Sequence, residues 1–159
     1  MLIAIFVGLA AYVFYRAGKI RLCSFVSLPL LAFYLSFVAT ITVISRIPSN
    51  DPQYQLVLFW TYRAIANGET HYINEIFWIV VLFIPIGILF MLLLTFKHKL
   101  VVALFTSIFL SCLIEVIQLT FHRGLFEFDD IVHNTVGTVI GILVFAFVSV
   151  IGKRITGKT

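Results

Sequence analysis

Charged residues are scarce in this 159-residue sequence, of which Asp, Glu, Lys and Arg make up only 11%. Soluble domains carry about 25% charged residues. Hydrophobic residues make up 62% of the chain and fall in runs close to the roughly 20 residues that span a bilayer. The composition therefore indicates an integral membrane protein, and too few residues remain outside these runs for a separate soluble catalytic domain.

Cysteine and known catalytic motifs are also scarce or missing. Cys23 and Cys112 lie at predicted depths that differ by more than the roughly 7 Å Cα separation of a disulfide, so we interpret both as small buried side chains. The chain has no G-x-S-x-G, P-loop or dinucleotide motif, and we predict no cofactor. Asp129 and His133 share a helix face near His122, but this spacing matches no specific metal site, so we predict no metal.

Five apolar runs predict an all-α, polytopic membrane helix bundle forming a single domain over residues 1–159. They cover residues 2–15, 22–45, 76–96, 100–121 and 131–151. None shows the alternation of a membrane β-strand. The first run is short for a hydrocarbon core of about 30 Å, which leaves a re-entrant segment open. A cleaved signal peptide is disfavoured because no basic residue precedes this run.

Basic residues are distributed unevenly over the connections between these runs. Eight fall on one side of a five-span topology: Arg16, Lys19, Arg21, Lys97, Lys99, Lys153, Arg154 and Lys158. Only Arg46, Arg63 and Arg123 fall on the other. Cytoplasmic loops carry the excess of Lys and Arg, so we predict an N-terminus outside the cell and a cytoplasmic C-terminus. The net charge of +4 is then a topology signal with attraction to anionic lipids, and no nucleic-acid binding is predicted.

The outer connection over residues 46–74 is the only long one. Residues 54–65 within it are amphipathic and carry Phe59 and Trp60, and such aromatic side chains favour the membrane interface. The segment is too short to span. It is either a short interfacial helix or an ordinary interfacial loop.

Acidic residues concentrate where the fourth apolar run meets the fifth. Four of the chain's seven lie there: Glu115, Glu127, Asp129 and Asp130. Helical spacing places Gln118 on the face of Glu115, and Asn134 on the face of Asp130. Arg123 is the nearest cation and has the geometry to bridge two carboxylates. Asn74 enters at the same level from the third helix.

Glycine and proline predict close or irregular helix packing below this cluster. Gly137 and Gly141 continue the face of Asp130 and Asn134, and small residues four apart let a neighbouring helix approach. Pro85 and Gly87 are expected to kink or loosen the third helix. The polar cluster is then either a structural clamp among helices or a small outward-open pocket, and the number of carboxylates at one depth favours the pocket.

Together these motifs resemble those of the VanZ-like membrane proteins. The chain contains N-x-x-F from Asn74, F-x-P-x-G from Phe83, S-x-x-I-E-x-x-Q from Ser111, and the run from Arg123 to Gly141 that reads RGLFEFDDIVHNTVGTVIG. The resemblance covers residues 46–141. It departs at Leu58, where the family has proline, and at Glu127, where aspartate is more usual.

The resemblance implies a role in the bacterial cell envelope, because the family's prototype is linked to low-level resistance to the glycopeptide teicoplanin. One reading is a module that binds or alters an amphiphile, such as a membrane lipid or a lipid-linked molecule, in the outer leaflet. Arg123 would hold an anionic group. Carboxylates would take cationic or hydroxyl groups, and the Phe59–Trp60 region would meet the acyl part.

Two other readings remain open. The first is a membrane enzyme that acts on a lipid head group, with Glu115 and Asp130 as general acid and base. The second is a small transporter, which is disfavoured because the polar residues lie away from the midplane. A homo-oligomer formed through Gly137 and Gly141 is a further expectation.

Overall fold

The computed structural model describes residues 2–18, 21–50 and 53–156. The helices are α1 (Leu2–Arg16), α2 (Leu22–Ala39), α3 (Trp60–Ala66), α4 (His71–Leu93), α5 (Lys99–Thr120) and α6 (Phe128–Thr156). A π-helical turn, Thr40–Ile44, extends α2, and two short strands are β1 (Gln53–Gln55) and β2 (Leu125–Glu127). Lys19 and Lys158, which contributed to the predicted topology, lie outside the described residues.

The prediction of an all-α, polytopic helix bundle is confirmed. Four helical stretches are long and apolar enough to cross a membrane, namely Leu22–Ile44, His71–Leu93, Lys99–Thr120 and Phe128–Ile155. Large hydrophobic side chains cover their outer faces, where a hydrocarbon environment stabilises them. The outer surface of the bundle is therefore suited to a hydrocarbon environment, and many of its polar side chains are buried inside.

The first helix, α1, has 15 residues and is about 22 Å long, so it is shorter than each of the four stretches that could cross a membrane. It pairs with α2 in antiparallel fashion along its whole length. Tyr15 stacks on Phe25 with ring centroids 5.1 Å apart, Gly8 faces Pro29, and Ile3 lies near Ile44. The contact with α2 therefore covers one side of this helix from end to end.

The helix predicted over residues 22–45 changes geometry at Thr40. From there the Ser45 amide donates to the Thr40 carbonyl five residues earlier, at 2.8 Å. The hydroxyls of Thr40, Thr42 and Ser45 each donate to the carbonyl four residues before them. Such back-bonding competes with the helix ladder and bends helices, which accounts for a π turn at this place.

The long outer connection pairs with the α5–α6 connection through a two-stranded parallel sheet. Its register joins Gln53 to Leu125 and Gln55 to Glu127. Residues 54–65, expected to be one interfacial helix or a loop, are instead divided between β1 and the short α3. The strands were not predicted, because three residues are too few to show an alternating pattern.

The most extensive helix contact is between α4 and α6, and glycine makes it possible. Gly137 lies against the Val80 carbonyl, Gly141 against the Ile84 carbonyl, and Gly87 against the Thr138 carbonyl. The expected role of these glycines in close approach thus applies within one chain. The approach places the N-terminal turns of α4 and α6 side by side.

Pro85 lies inside α4 and leaves it continuous. Tyr34 of α2 donates a hydrogen bond of 2.9 Å to the Leu82 carbonyl, three residues before the proline. Around and beyond this point α4 contributes most of the apolar core, with Phe83, Ile86 and Met91 buried. The core therefore lies away from the N-terminal end of α4, where the polar side chains gather.

We expect Gly137→Ala to lower the stability of the bundle by about 1–3 kcal/mol, because the added methyl group overlaps the Val80 carbonyl and α4 must move away. Gly152→Ala is the matched control, since a Cβ at Gly152 meets no atom within 4 Å. Thermal unfolding in detergent measures both. Equal melting temperatures for the two variants would show that the crossing is looser than described.

Candidate functional site

The polar side chains lie at one end of the bundle, hereafter the polar end. It is formed by the C-terminal turns of α5, the N-terminal turns of α4 and α6, the segment after the π turn, and α3 with the two strands. Non-helical backbone at this end leaves amide and carbonyl groups without helical partners, and such groups need other partners when water is excluded.

Asp129, at the start of α6, fastens α3 to the bundle. Its carboxylate accepts hydrogen bonds from the Phe59 amide at 2.6 Å, the Thr61 amide at 3.1 Å and the Thr61 hydroxyl at 2.8 Å. The Asp129 side chain is 1% exposed. Phe59 has a φ of +60°, a strained conformation that these bonds help to hold. Asp129 therefore acts as an N-cap supplied from a distant element.

Glu115 and Glu127 form a chain of contacts from α5 to α3. The Glu127 amide donates to a Glu115 carboxylate oxygen at 2.9 Å, and the Trp60 indole donates to the Glu127 carboxylate at 3.0 Å. Glu115 is 1% exposed and so lies behind β2. These bonds fix the strand and orient the Glu127 side chain toward α3 and α4.

Arg123 and Gln118 close around the π turn. One guanidinium nitrogen of Arg123 donates to the carbonyls of Ile44 and Arg46, at 2.7 and 3.0 Å, and the Gln118 amide group donates to the Thr42 carbonyl at 2.8 Å. Carbonyls at a helix C-terminus carry partial negative charge. The structure therefore directs this Arg123 nitrogen at backbone, where the sequence suggested carboxylates.

Asn134 joins α6 to α5 below the polar end. Its amide donates to the Ser111 hydroxyl at 2.7 Å, and one turn further Thr138 bonds to the Ser107 hydroxyl and to the Asn134 carbonyl. All four side chains are buried. They form a polar clamp between two helices.

A cavity of about 520 Å³ lies at the polar end and is lined by Glu127 together with polar residues not yet described. Its polar lining residues are Arg46, His71, Asn74, Glu75, Glu127 and Asp130. Aromatic and apolar side chains complete the wall, namely Trp60, Tyr72, Trp78, Ile79 and Leu125. Asn74, Glu127 and Asp130 are thus the predicted site residues that the fold brings together around open space.

Arg46 is the cation of this cavity, and Gly124 makes room for it. A Cβ at Gly124, whose φ is +146°, would occupy the place of the Arg46 guanidinium. Arg46 interacts electrostatically with Asp130 and with Glu115 behind it. The cavity therefore combines one guanidinium with three carboxylates in its wall.

Comparison of the whole chain with models of known protein families gives a match. The sequence model described as VanZ/LLP1 matches residues 25–149. The chain belongs to the VanZ/LLP1 family. No curated protein and no solved structure matches it significantly. Family membership and the four apolar helices make this a VanZ-like membrane protein, and the match includes the cavity and the clamp alike.

Several cavity residues of this VanZ/LLP1 protein were not among the predicted site residues. Arg46 lies 77 residues from Arg123, and only the tertiary structure shows that it faces the carboxylates. The α4 residues His71, Glu75 and Trp78 had a detectable signal, since spacings of four and three place them on one helix face. These three residues lie at or just before the start of the apolar run over residues 76–96, and the rest of that run carries no charged side chain.

Burial changes the acid–base behaviour of Glu127, which lies outside the membrane-spanning helices. Burial, together with the smaller effect of the neighbouring Asp130 charge, raises the pKa of this carboxyl from 4.5 to about 7, and the hydrogen bond from the Trp60 indole opposes the rise. Near neutral pH the protonated and ionised forms are therefore about equally populated. Glu127 can donate or accept a proton in the cavity.

The pair considered for metal chelation has other partners. Asp129 binds α3 as described, and the Nε2 atom of His133 lies 3.0 Å from the Tyr62 hydroxyl. Across residues 2–18, 21–50 and 53–156, no three His, Cys, Asp or Glu side chains converge in a geometry suited to a metal ion.

Asp129 and Asp130 of this VanZ/LLP1 protein are adjacent but have different roles, since Asp129 binds α3 and Asp130 lines the cavity. We expect Asp129→Asn to lower the free energy of unfolding by about 2–4 kcal/mol, because charge-assisted bonds to three donors of α3 are weakened. Asp130→Asn should change stability little, because no described residue donates a hydrogen bond to its side chain. Unfolding in detergent, followed by circular dichroism, measures both. Equal losses would contradict this division.

The pKa of Glu127 predicts a pH-dependent stability. The folded state binds more protons than the unfolded state between about pH 4.5 and 7, so stability falls as the pH rises through this window and then levels off. Glu127→Gln should remove part of this fall, on the order of 1 kcal/mol after discounting for solvent at a half-buried group. Unfolding measured across the window tests it. Glu69→Gln, at an exposed site, is the control, and an unchanged slope in Glu127→Gln would refute the assignment.

Proposed function

We propose that this VanZ/LLP1 protein acts in the bacterial plasma membrane, with its polar end at the outer leaflet. There the cavity binds or alters an amphiphile and gives low-level resistance to lipidated glycopeptides such as teicoplanin. The cavity itself is the observation that carries the proposal. It combines a guanidinium, three carboxylates and two indoles beside the lipid-facing surface, and this combination suits a molecule with both a charged head and an acyl chain.

The distribution of basic residues supports the orientation. Six described basic residues lie at the end of the bundle opposite the cavity: Arg16, Arg21, Lys97, Lys99, Lys153 and Arg154. Arg46, Arg63 and Arg123 lie toward the polar end. The positive-inside rule assigns the richer end to the cytoplasm. The N-terminus is then outside, the C-terminus cytoplasmic, and the cavity faces the space that an external antibiotic reaches first.

The tryptophans support a site at the level of lipid head groups. Trp60 and Trp78 line the cavity, and indole rings favour the interface between head groups and acyl chains. A soluble ligand would not need this position. A lipid-linked ligand would reach the cavity by lateral diffusion within the leaflet.

A membrane enzyme acting on a lipid head group is the second candidate. It is favoured by the near-neutral pKa of Glu127, since a general acid or base works best when its pKa lies near the operating pH. Glu115 lies directly behind the same strand. A new or missing lipid species in extracts of cells that express the protein would favour catalysis over binding.

We expect the wild-type protein to raise the teicoplanin concentration that inhibits a susceptible host, with no change for a glycopeptide that lacks an acyl chain. Arg46→Gln and Asp130→Asn should each lose most of this protection at unchanged protein abundance, because each removes a charge from the cavity wall. Minimum inhibitory concentrations and immunoblots of membranes provide the two measurements.

Two other arginines serve as controls for that experiment. Arg63→Gln removes an exposed charge of α3 that does not line the cavity, and it should keep full protection. Arg123→Ala should act by reducing abundance, because it frees the carbonyls at the end of the π turn. Full protection by Arg46→Gln and Asp130→Asn at normal abundance would refute a role for the cavity in resistance.

A further inference from the structure

A second cavity adjoins the polar one. It measures about 280 Å³ and is lined by Ile41, Thr42, Arg46, Trp78, Ile79 and Leu82. Arg46, Trp78 and Ile79 line both cavities. The polar cavity therefore shares part of its wall with a mainly apolar groove between the π turn and α4, and Arg46 belongs to the shared part.

The wall of the groove formed by the π turn is both apolar and fixed. The Thr42 hydroxyl donates to the Val38 carbonyl at 2.9 Å, so this residue has no donor left for a ligand. The Thr42 carbonyl is bound by Gln118. Hydrocarbon is consequently the chemistry that suits the groove.

The charged residues are distributed unevenly between the two cavities. Arg46 lines both cavities, whereas the carboxylates of Glu75, Glu127 and Asp130 and the rings of Trp60 and Tyr72 line the polar cavity and not the groove. A path from the groove to the carboxylates therefore passes the shared wall at Arg46. A ligand lying along this path would meet hydrocarbon, positive charge and negative charge in turn. A zwitterionic phospholipid presents the complementary order of acyl chain, phosphate and ammonium.

We infer that the two cavities together form a binding site for one zwitterionic phospholipid, with an acyl chain in the groove, its phosphate at Arg46 and its ammonium among the carboxylates. The inference rests on the proposed function and names the amphiphile. A guanidinium binds phosphate through two parallel hydrogen bonds. Carboxylates accept from an ammonium, and aromatic faces attract it.

The balance of charge disfavours an anionic lipid in this site. Three carboxylates face one guanidinium in the wall, so ionisation leaves the polar cavity net negative. A phosphatidylglycerol phosphate would gain the contact with Arg46 but would bring no cation to the acidic part. Selectivity for a zwitterionic head group over an anionic one is therefore the property that distinguishes this site from general lipid contact.

The two tryptophans of the chain provide a direct reporter. Bromine atoms on a lipid acyl chain quench indole fluorescence on contact. In the Trp60→Phe variant only Trp78 remains, at the junction of cavity and groove. The purified variant is placed in phosphatidylglycerol bilayers in which a minor fraction of the lipid is brominated, either as phosphatidylethanolamine or as phosphatidylglycerol.

We expect brominated phosphatidylethanolamine to quench Trp78 with about tenfold stronger apparent binding than brominated phosphatidylglycerol, the factor that one charge-assisted contact supplies. Asp130→Asn, made in the Trp60→Phe background, should greatly reduce the preference, because it removes a carboxylate that the ammonium contacts. Arg46→Gln in the same background should weaken the binding of both lipids, because both carry the phosphate. Arg46→Lys, which keeps the charge but lacks the two parallel donors of a guanidinium, should retain part of the binding of both lipids. Leu82→Phe should reduce quenching by filling the groove, whereas Leu113→Phe on the lipid-facing side of α5 should not.

Equal quenching by the two lipids would overturn the inference, as would a full preference in Asp130→Asn or unchanged binding of both lipids in Arg46→Gln. The elution volume in gel filtration and the helical circular dichroism signal show in each case that the variant is folded. The outcome is separate from that of the susceptibility test. Resistance without a lipid preference would support the proposed function and overturn the phospholipid site. A lipid preference without resistance would support the phospholipid site and overturn the proposed role in resistance.

Discussion

The structure depends on satisfying backbone groups that irregular segments expose inside a membrane protein. At the polar end four polar side chains bond to main chain: Asp129 to the start of α3, Arg123 and Gln118 to the π turn, and Glu115 to β2. Unpaired amides and carbonyls are costly where water is excluded. These side chains therefore make it possible for a strand, a short helix and a π turn to cover one end of a helix bundle.

The C-terminal sequence motif contains two groups of polar residues, those that bond to backbone and those that line the cavity. Adjacent Asp129 and Asp130 illustrate it, since one carboxylate is saturated by donors of α3 and the other lines a cavity. A carboxylate that already accepts three hydrogen bonds has little capacity left for a ligand. The family motif of VanZ/LLP1 proteins is in this view a scaffold motif as much as a site motif, and the cavity draws its cation from Arg46, outside the C-terminal motif.

Much of the fold followed from local pattern. Long apolar runs separated by polar connections predicted the membrane helices, because a helix that faces lipid must be apolar over a whole bilayer thickness. Gly137 and Gly141 signalled close helix packing for a steric reason that needs no knowledge of the partner. The strands and the π turn escaped prediction, because each spans only three to five residues and depends on hydrogen bonds from distant side chains.

The sequence by itself determined the class of the protein, the approximate helix spans, the end of the bundle at which polar residues gather and several of those residues. Only the tertiary structure decided which of those residues face backbone and which face open space. It also decided that Arg46 supplies the cation and that an apolar groove adjoins the cavity. The physical reason is that hydropathy and helical spacing are local properties, whereas the partner of a polar group depends on which distant segment folds against it.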